Sequence, residues 1–449
     1  MQARTKFKGP RQLTSLLAVG MALALLLVAC GDGAEEQDPA VDDEVDAEGF
    51  EVGGTEDDPI VVTVWFPRDD QVPAGGFDRF HDEYPTIRVD TTVVPAEEQV
   101  SSYLRASQAG DAPDILIPTT DLWIPLAQQG RLLDIGPYLE AWEADDPEGF
   151  AANAVGIEFG TSQDGVTYGV GLTGAPTWMT YRADWFEEAG IETPETYEDL
   201  LEAARVLKEE RPDVTPFGIV GARAASPAAK FLTLFYMMGG THEDGVHQFD
   251  SEAGIYLLEY YQTLMREDLA NSDTLSWDSG NTRGGLMEGI IGTTMISQNI
   301  YPQVIDALEY GEEWDMLPGL HREGHEDERV MTFRAVTGLI TADTENPYET
   351  SLVLRYLADF ENSLEVSLRY QPTLRADVNE DPGYLEQAPW LDKLQPYLDE
   401  ARPLPAHPSA AELYQVIHDM KQEAIANPDA DAAEIAARAQ AAMNDIANG

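Results

Sequence analysis

The chain reads as an α/β protein built in two lobes. Short apolar, β-branched runs alternate with helical stretches, the pattern of a sheet joined by crossover helices. The part able to fold, residues 60–449, is longer than one hydrophobic core supports, since single cores stop growing near about 250–300 residues. Cysteine occurs once, at Cys30, so neither disulfides nor thiol chemistry contribute to the body.

The elements follow in order. Ile60 to Phe66 is an apolar, β-branched run that predicts a buried strand. A helical segment around Phe77–Phe80 ends at Tyr84-Pro85, and a second strand is predicted over Ile87–Val94. A helix over Glu97–Ala109 is stopped by Gly110, and a third short strand covers Asp114–Ile117. Further on, Thr196 and Asp199 have capping-box spacing ahead of Leu200, Leu201, Ala204 and Leu207. Helices are predicted over Ala229–Met238, Glu252–Arg266, Tyr348–Phe360, Ala410–Ala426 and Ala432–Ile446. Strands are predicted over Pro216–Val220, Gly292–Ile296 and Val336–Thr341. No internal repeat is visible.

The N-terminus has the layout of an export signal. Arg4, Lys6, Lys8 and Arg11 precede an apolar stretch from Leu16 to Val28, and Leu27-Val28-Ala29-Cys30 closes it. The apolar run is shorter than the roughly 20 residues a membrane-spanning helix needs. A cysteine at the cut resembles the bacterial lipobox, so residues 1–29 are expected to be a signal peptide and Cys30 to carry the lipid anchor. Residues 30–58 follow as an acidic linker: from Asp32 to Asp58 there are thirteen Asp or Glu and no basic residue. The whole chain has 82 acidic and 27 basic residues, which excludes nucleic acid as a partner because the surface repels phosphate. Such acidity describes a well-solvated surface suited to high salt. The lysines beyond the leader are few, at Lys208, Lys230, Lys393 and Lys421.

Several stretches resemble the extracellular solute-binding proteins of ABC importers, in particular the carbohydrate group that includes maltose- and trehalose-binding proteins. Gly110-Asp111-Ala112-Pro113-Asp114-Ile115 is similar to that family's "GDAPDI", and Gly130 to Ile135 to its "G.L.DI" segment. Tyr181-Arg182-Ala183-Asp184-Trp185-Phe186-Glu187-Glu188-Ala189-Gly190 resembles "YRKDLFEKAG", and Ser276-Trp277-Asp278 its "SWD". Gly289–Met295, Ala401-Arg402-Pro403 and Pro408–Ile417 continue the similarity, which covers nearly everything from Ile60 onward.

The resemblance implies a periplasmic-binding-protein-like fold, each lobe a β-sheet flanked by helices, with the ligand cleft at the hinge. It implies that residues 59–171 and 336–374 form the first lobe, and that 172–335 and the C-terminal helices of 375–449 form the second. It also implies the site residues. Asp69 matches an acidic position that bonds sugar hydroxyls, and Asp121 and Trp123 follow the third strand where another acid sits. Gln298, Asn299 and Tyr301 follow the Gly292–Ile296 strand, where the family carries an amide and a stacking aromatic. Trp277 stands in the "SWD" stretch, and Trp178 and Arg334 stand beside the hinge crossings. One departure matters: where relatives often read "PWYVD", this chain has Gly171-Leu172-Thr173-Gly174-Ala175. Two stacking surfaces and a carboxylate are absent there, which predicts a roomier or less sugar-like cleft.

Two tempting motifs are discounted. Gly169–Gly174 spells GxGxxG but is not followed at once by a helix, so it is read as a flexible hinge crossing, not a nucleotide loop. His321 and His325 have metal-like spacing, but Gly324 and the surrounding charges predict an exposed loop. No cofactor or metal is expected. The function expected is a monomeric, lipid-anchored receptor on the outer face of the cytoplasmic membrane. It would capture a sugar or oligosaccharide by hinge closure and deliver it to an ABC permease. The alternatives are a secreted polysaccharide-acting enzyme and a receptor for a non-sugar ligand.

Overall fold

A computed structural model describes residues 50–449 apart from 120, 121, 163, 370, 371 and 406, and apart from the side chains of 97 and 225. The export leader, Cys30, most of the acidic linker and Asp121 therefore lie outside the described residues.

The first elements are β1 (Ile60–Phe66), α1 (Asp78–Glu83), β2 (Ile87–Val93), α2 (Ala96–Ala109) and β3 (Ile115–Leu116). The strand–helix alternation of the sequence produces what it should: β1 pairs in parallel with both β2 and β3, so each connection has to cross over. Gly110 ends α2 in the left-handed conformation, with φ of 74°. Four short helices between Ile124 and Phe159, which the sequence reading left unassigned, lead to β4 (Gly169–Gly174) and β5 (Thr177–Tyr181).

The chain then builds α3 (Tyr197–Glu210), β6 (Thr215–Gly218), α4 (Ala225–Met237), α5 (Glu252–Arg266), α6 (Ser279–Met287), β7 (Ile291–Ser297) and β8 (Asp315–Leu317). The capping box at α3 is present in both directions, with Asp199 N–H donating to Thr196 Oγ1 at 3.0 Å and Thr196 N–H to Asp199 Oδ2 at 3.1 Å. Last come β9 (Ala335–Ile340), α7 (Pro347–Leu357), α8 (Ala410–Ala426) and α9 (Ala432–Ala447). The helix predicted over Tyr348–Phe360 stops at Leu357, because Asp359 caps a new helix over Phe360–Leu368 by accepting from Asn362 N–H at 2.8 Å.

Two sheets organise these elements. The first has the order β2-β1-β3-β9-β4 and the second β8-β5-β7-β6. Each has its own core. Val62, Val64, Ile115, Ile340 and Val353 pack under the first, whereas Trp178, Leu207, Phe231, Phe235 and Ile417 belong to the second. Three segments pass between the sheets side by side. β4 runs into β5 through Ala175 and Pro176, Phe333–Ala335 enters β9, and Pro372–Leu374 lies alongside. Lateral hydrogen bonds tie them: Gly174 N–H donates to Pro372 O at 2.8 Å and Ala175 N–H to Arg334 O at 3.2 Å.

β4 corrects the reading of its glycines. A Cβ at Gly169 would lie 1.9 Å from Gly338 O across the sheet, and one at Gly174 would lie 2.4 Å from the Phe333 ring. Close approach of a backbone carbonyl at Gly169 and of a ring at Gly174, not flexibility, demands glycine there. The end of the linker is also docked: Phe50 stacks on Tyr348 with centroids 4.6 Å apart, and Gly53 N–H donates to Glu349 Oε1 at 2.7 Å.

Candidate functional site

A cavity of about 620 Å³ opens between the two sheets, a size suited to a small ligand. Its first wall comes from the carboxyl ends of β1, β2 and β3, through Arg68, Gln71, Pro95 and Thr119. Crevices beyond strand carboxyl ends are where open α/β sheets bind ligands, because loops there are free to vary. The floor is the crossing region, with Thr173, Thr177, Phe333 and Arg334. The far wall comes from the first two turns of α4 and α6 and from the end of β7, including Ser226, Lys230, Ser279, Arg283 and Asn299. A second cavity of about 300 Å³ lies away from the crossings, between Phe50, Tyr138, Trp142 and Tyr348.

The sequence-predicted residues divide sharply. Asn299 and Arg334 line the cavity. Asn299 Oδ1 is buried without a hydrogen-bond partner among the described residues, and an Arg334 guanidinium N–H donates to Thr119 Oγ1 at 2.9 Å. Asp69 is exposed, between Arg68 and Gln71, and does not line the cavity. Trp277 is half-buried two residues before Ser279, also off the wall.

Four expected ligand residues are instead core residues, which corrects the sequence reading. Trp123 is fully buried with Tyr103, Leu116 and Leu126 and meets Tyr168 edge-on at 6.0 Å. Trp178 is fully buried, and its indole N–H points to Gln298 Oε1 at 3.5 Å, which occupies the Gln298 amide as well. Tyr301 is wedged between Trp314 and Trp390, at 4.9 and 5.2 Å. Its hydroxyl is engaged by Thr180 Oγ1 at 3.2 Å. For Trp178, Gln298 and Tyr301 the physical reason is shared. β5 is buried at every position and β7 at all but its last, so side chains beside them face packed helices on either side. Phe333 is the one aromatic ring among the described lining residues, and it already packs on Phe159 at 4.8 Å.

Sequence reasoning missed Gln71, Lys230 and Arg283. Gln71 Nε2 donates to Thr173 Oγ1 at 3.3 Å, and its Oε1 is buried without a partner among the described residues. Lys230 is 5% exposed, and its ammonium donates to Met295 O at 2.7 Å. Burial, helped by repulsion from Arg283, pushes its pKa down to about 7. The signal was present: Lys230 is one of few lysines, and it stands in the otherwise uncharged helix sequence ASPAAKFLTLFYM.

The discounted histidine pair fits a structural role. Arg322, 4% exposed, donates to Glu252 Oε1 and Glu328 Oε2, each at 3.0 Å, and His325 Nδ1 bonds Glu328 Oε1 at 2.9 Å. Among the described residues no group of three His, Cys, Asp or Glu could hold a metal.

Comparison with known proteins agrees with this architecture. Over 288 residues the chain is 23% identical to lipoprotein LipO of Bacillus subtilis, covering 58% of this chain and 55% of LipO, so it spans about half that relative's length. Among solved structures, the sugar-binding protein MalE from Xanthomonas citri superposes with a TM-score of 0.71 at 15% identity, covering 86% of this chain and 98% of that one. The GacH receptor of Streptomyces glaucescens, solved unliganded and with acarbose, gives 0.68 at 18%, covering 87% and 99%. Maltose-bound MalE3 of T. maritima gives 0.68 at 18%, covering 86% and 100%. These likenesses establish the two-lobed fold. With residues 67–358 matching the family's own sequence pattern, this chain belongs to the bacterial extracellular solute-binding proteins.

Proposed function

We propose that the protein is the capture subunit of an ABC importer, a monomer held by lipid on Cys30 at the outer face of the cytoplasmic membrane. It binds a sugar or oligosaccharide in the cavity between its lobes and presents the closed form to the permease. The observation that carries this reading is the cavity itself, about 620 Å³ at the strand carboxyl ends and walled by both sheets. In such an arrangement, rotation about the crossings encloses the ligand, and differential affinity for the closed form drives the rotation. The lobes are taken as 59–171 with 336–374, and 172–335 with 375–449.

Asn299, Arg334 and Gln71 supply hydrogen bonds to hydroxyls, and a ligand that leaves them unpaired is rejected. Asp69 and Trp277 act at the rim. The bound sugars of the MalE3 and GacH structures support the ligand class. A glycoside-cleaving enzyme is disfavoured because the described lining holds no carboxylate, and such chemistry ordinarily uses two.

Thermal melting of the purified protein against mono-, di- and oligosaccharides tests the reading. A ligand at 100 times its Kd adds about 2.7 kcal/mol. A stabilising sugar recovered chemically intact supports the receptor, whereas turnover of that sugar refutes it in favour of the enzyme.

A further inference from the structure

The cavity is charged oppositely to the chain. In a sequence with 82 acidic and 27 basic residues, the described lining contains Arg68, Lys230, Arg283 and Arg334 and no Asp or Glu. Two of these cations are engaged: Arg68 is clamped by Asp70, with Nε to Oδ1 at 2.9 Å, and Arg334 bonds Thr119. Lys230 and Arg283 differ. The Lys230 ammonium has three donors, and one of them meets Met295 O. Half-buried Arg283 has neither carboxylate nor hydrogen-bond partner among the described residues.

The two come from matching positions. Lys230 stands four residues after Ser226 on α4, and Arg283 four residues after Ser279 on α6, so each helix places a hydroxyl and a cation on one face. The faces meet, with Ser226 and Ser279 hydroxyls 3.1 Å apart. α4 has no side-chain cap and no acid in its first turn, so its positive end adds to the same place. Two neighbouring cations in a partly dry cavity repel each other, and burying them without a counter-charge is costly. Gln71 Oε1 on the opposite wall and Asn299 Oδ1 on the same wall as the cations are buried acceptors without partners among the described residues.

We infer that the cargo is an acidic sugar, with its oxyanion held between Lys230 and Arg283 and its hydroxyls donating to Gln71 and Asn299. The inference rests on the receptor reading and narrows its ligand. Carboxylate and phosphate share this chemistry. The scarcity of stacking rings fits a ligand recognised by charge and hydroxyls more than by an apolar sugar face.

Isothermal titration of the purified protein at pH 7 tests it with glucuronate, galacturonate, digalacturonate, glucose 6-phosphate, inorganic phosphate, glucose, galactose and maltose. The expected result is that an acidic sugar binds at least about 10-fold tighter than its neutral counterpart. Lys230→Met and Arg283→Gln should each weaken that binding roughly 10- to 100-fold, with melting curves confirming folded variants. Preference for a uronate assigns a carboxylate, and preference for glucose 6-phosphate assigns a phosphate; either supports the inference. Tight binding of a neutral sugar unaffected by both variants overturns it and leaves the receptor intact. Inorganic phosphate bound as tightly as glucose 6-phosphate, with no uronate bound, also overturns it. Binding of none of these probes overturns the inference and the sugar reading together.

Discussion

Replacing Lys230 by methionine should make the empty protein more stable. Its ammonium is almost wholly buried, keeps one carbonyl partner, and is depressed to about 7 from an ordinary 10.5. That depression corresponds to roughly 5 kcal/mol against the charged form. Methionine matches the length of the stem and fills the same space, while the Met295 carbonyl loses a hydrogen bond of about 1 kcal/mol. Relaxation and water entry reduce the remainder, so a net gain of about 1–3 kcal/mol is expected, in line with apolar replacements of buried charges. The sign of the pH dependence is fixed as well. Between pH 7 and 10 the unfolded chain keeps this proton and the folded one does not, so wild-type stability rises with pH across that window. Lys421, fully buried on the Val220 and Ala222 carbonyls and likewise near 7, contributes in the same direction and remains in the variant. Urea unfolding at pH 7 and 9.5 should therefore show a stabilised variant with a shallower rise. A loss of about 2 kcal/mol in Lys230→Met, or an unchanged slope, would show that the ammonium keeps its proton with its charge compensated in the empty protein, and the reasoning would fail.

Three further outcomes are expected. His247 is buried against the Tyr236 hydroxyl at 2.6 Å, and burial pushes its pKa down to about 3. The unfolded chain takes up this proton first as pH falls, so about 2 kcal/mol is lost between pH 6.5 and 5, and acid unfolding curves of His247→Leu should lack that part. Gly169→Ala drives a Cβ against the Gly338 carbonyl and should cost about 3 kcal/mol, read as a lower urea midpoint. Arg322→Met leaves the Met238 carbonyl and two carboxylates without their buried partner. About 2 kcal/mol should be lost, with faster proteolysis of the segment around His325 as a second readout.

The backbone was more legible than the cavity. β1 and α5 fall where their apolar runs and breakers place them, because burial periodicity and helix caps are local signals. The cleft depends on which side of a sheet a residue faces, and that signal vanishes for a strand covered on both faces. Trp178 on β5 looks identical in sequence whether it stacks on a ligand or packs under a helix. Tyr301 is hidden in another way, since Trp390, one of the two rings that enclose it, lies far along the chain. Asn299 and Arg334 line the cavity because each adjoins a strand end that opens onto it. Lys230 was harder to read: a cation inside an apolar helix is unusual, but the helix sequence does not say where its ammonium points. The missing "PWYVD" segment was the more informative clue, since a chain without its stacking rings needs another means of grip.

The three segments joining the sheets have a mechanical consequence. Independent linkers would let the lobes twist, slide and bend separately. Here the Thr173 strand is paired to Val336 on one side and bridged to Thr373 on the other, and Gly174 and Ala175 extend the same ladder. Twisting or sliding one lobe would shear several backbone hydrogen bonds at once. A bend at Pro176 and Thr177 lies beyond these bonds and leaves the ladder intact, and Pro176 fixes one φ there. A ladder that resists twisting and sliding favours bending as the motion between the lobes, so a partner reading that one angle would tell a filled cavity from an empty one.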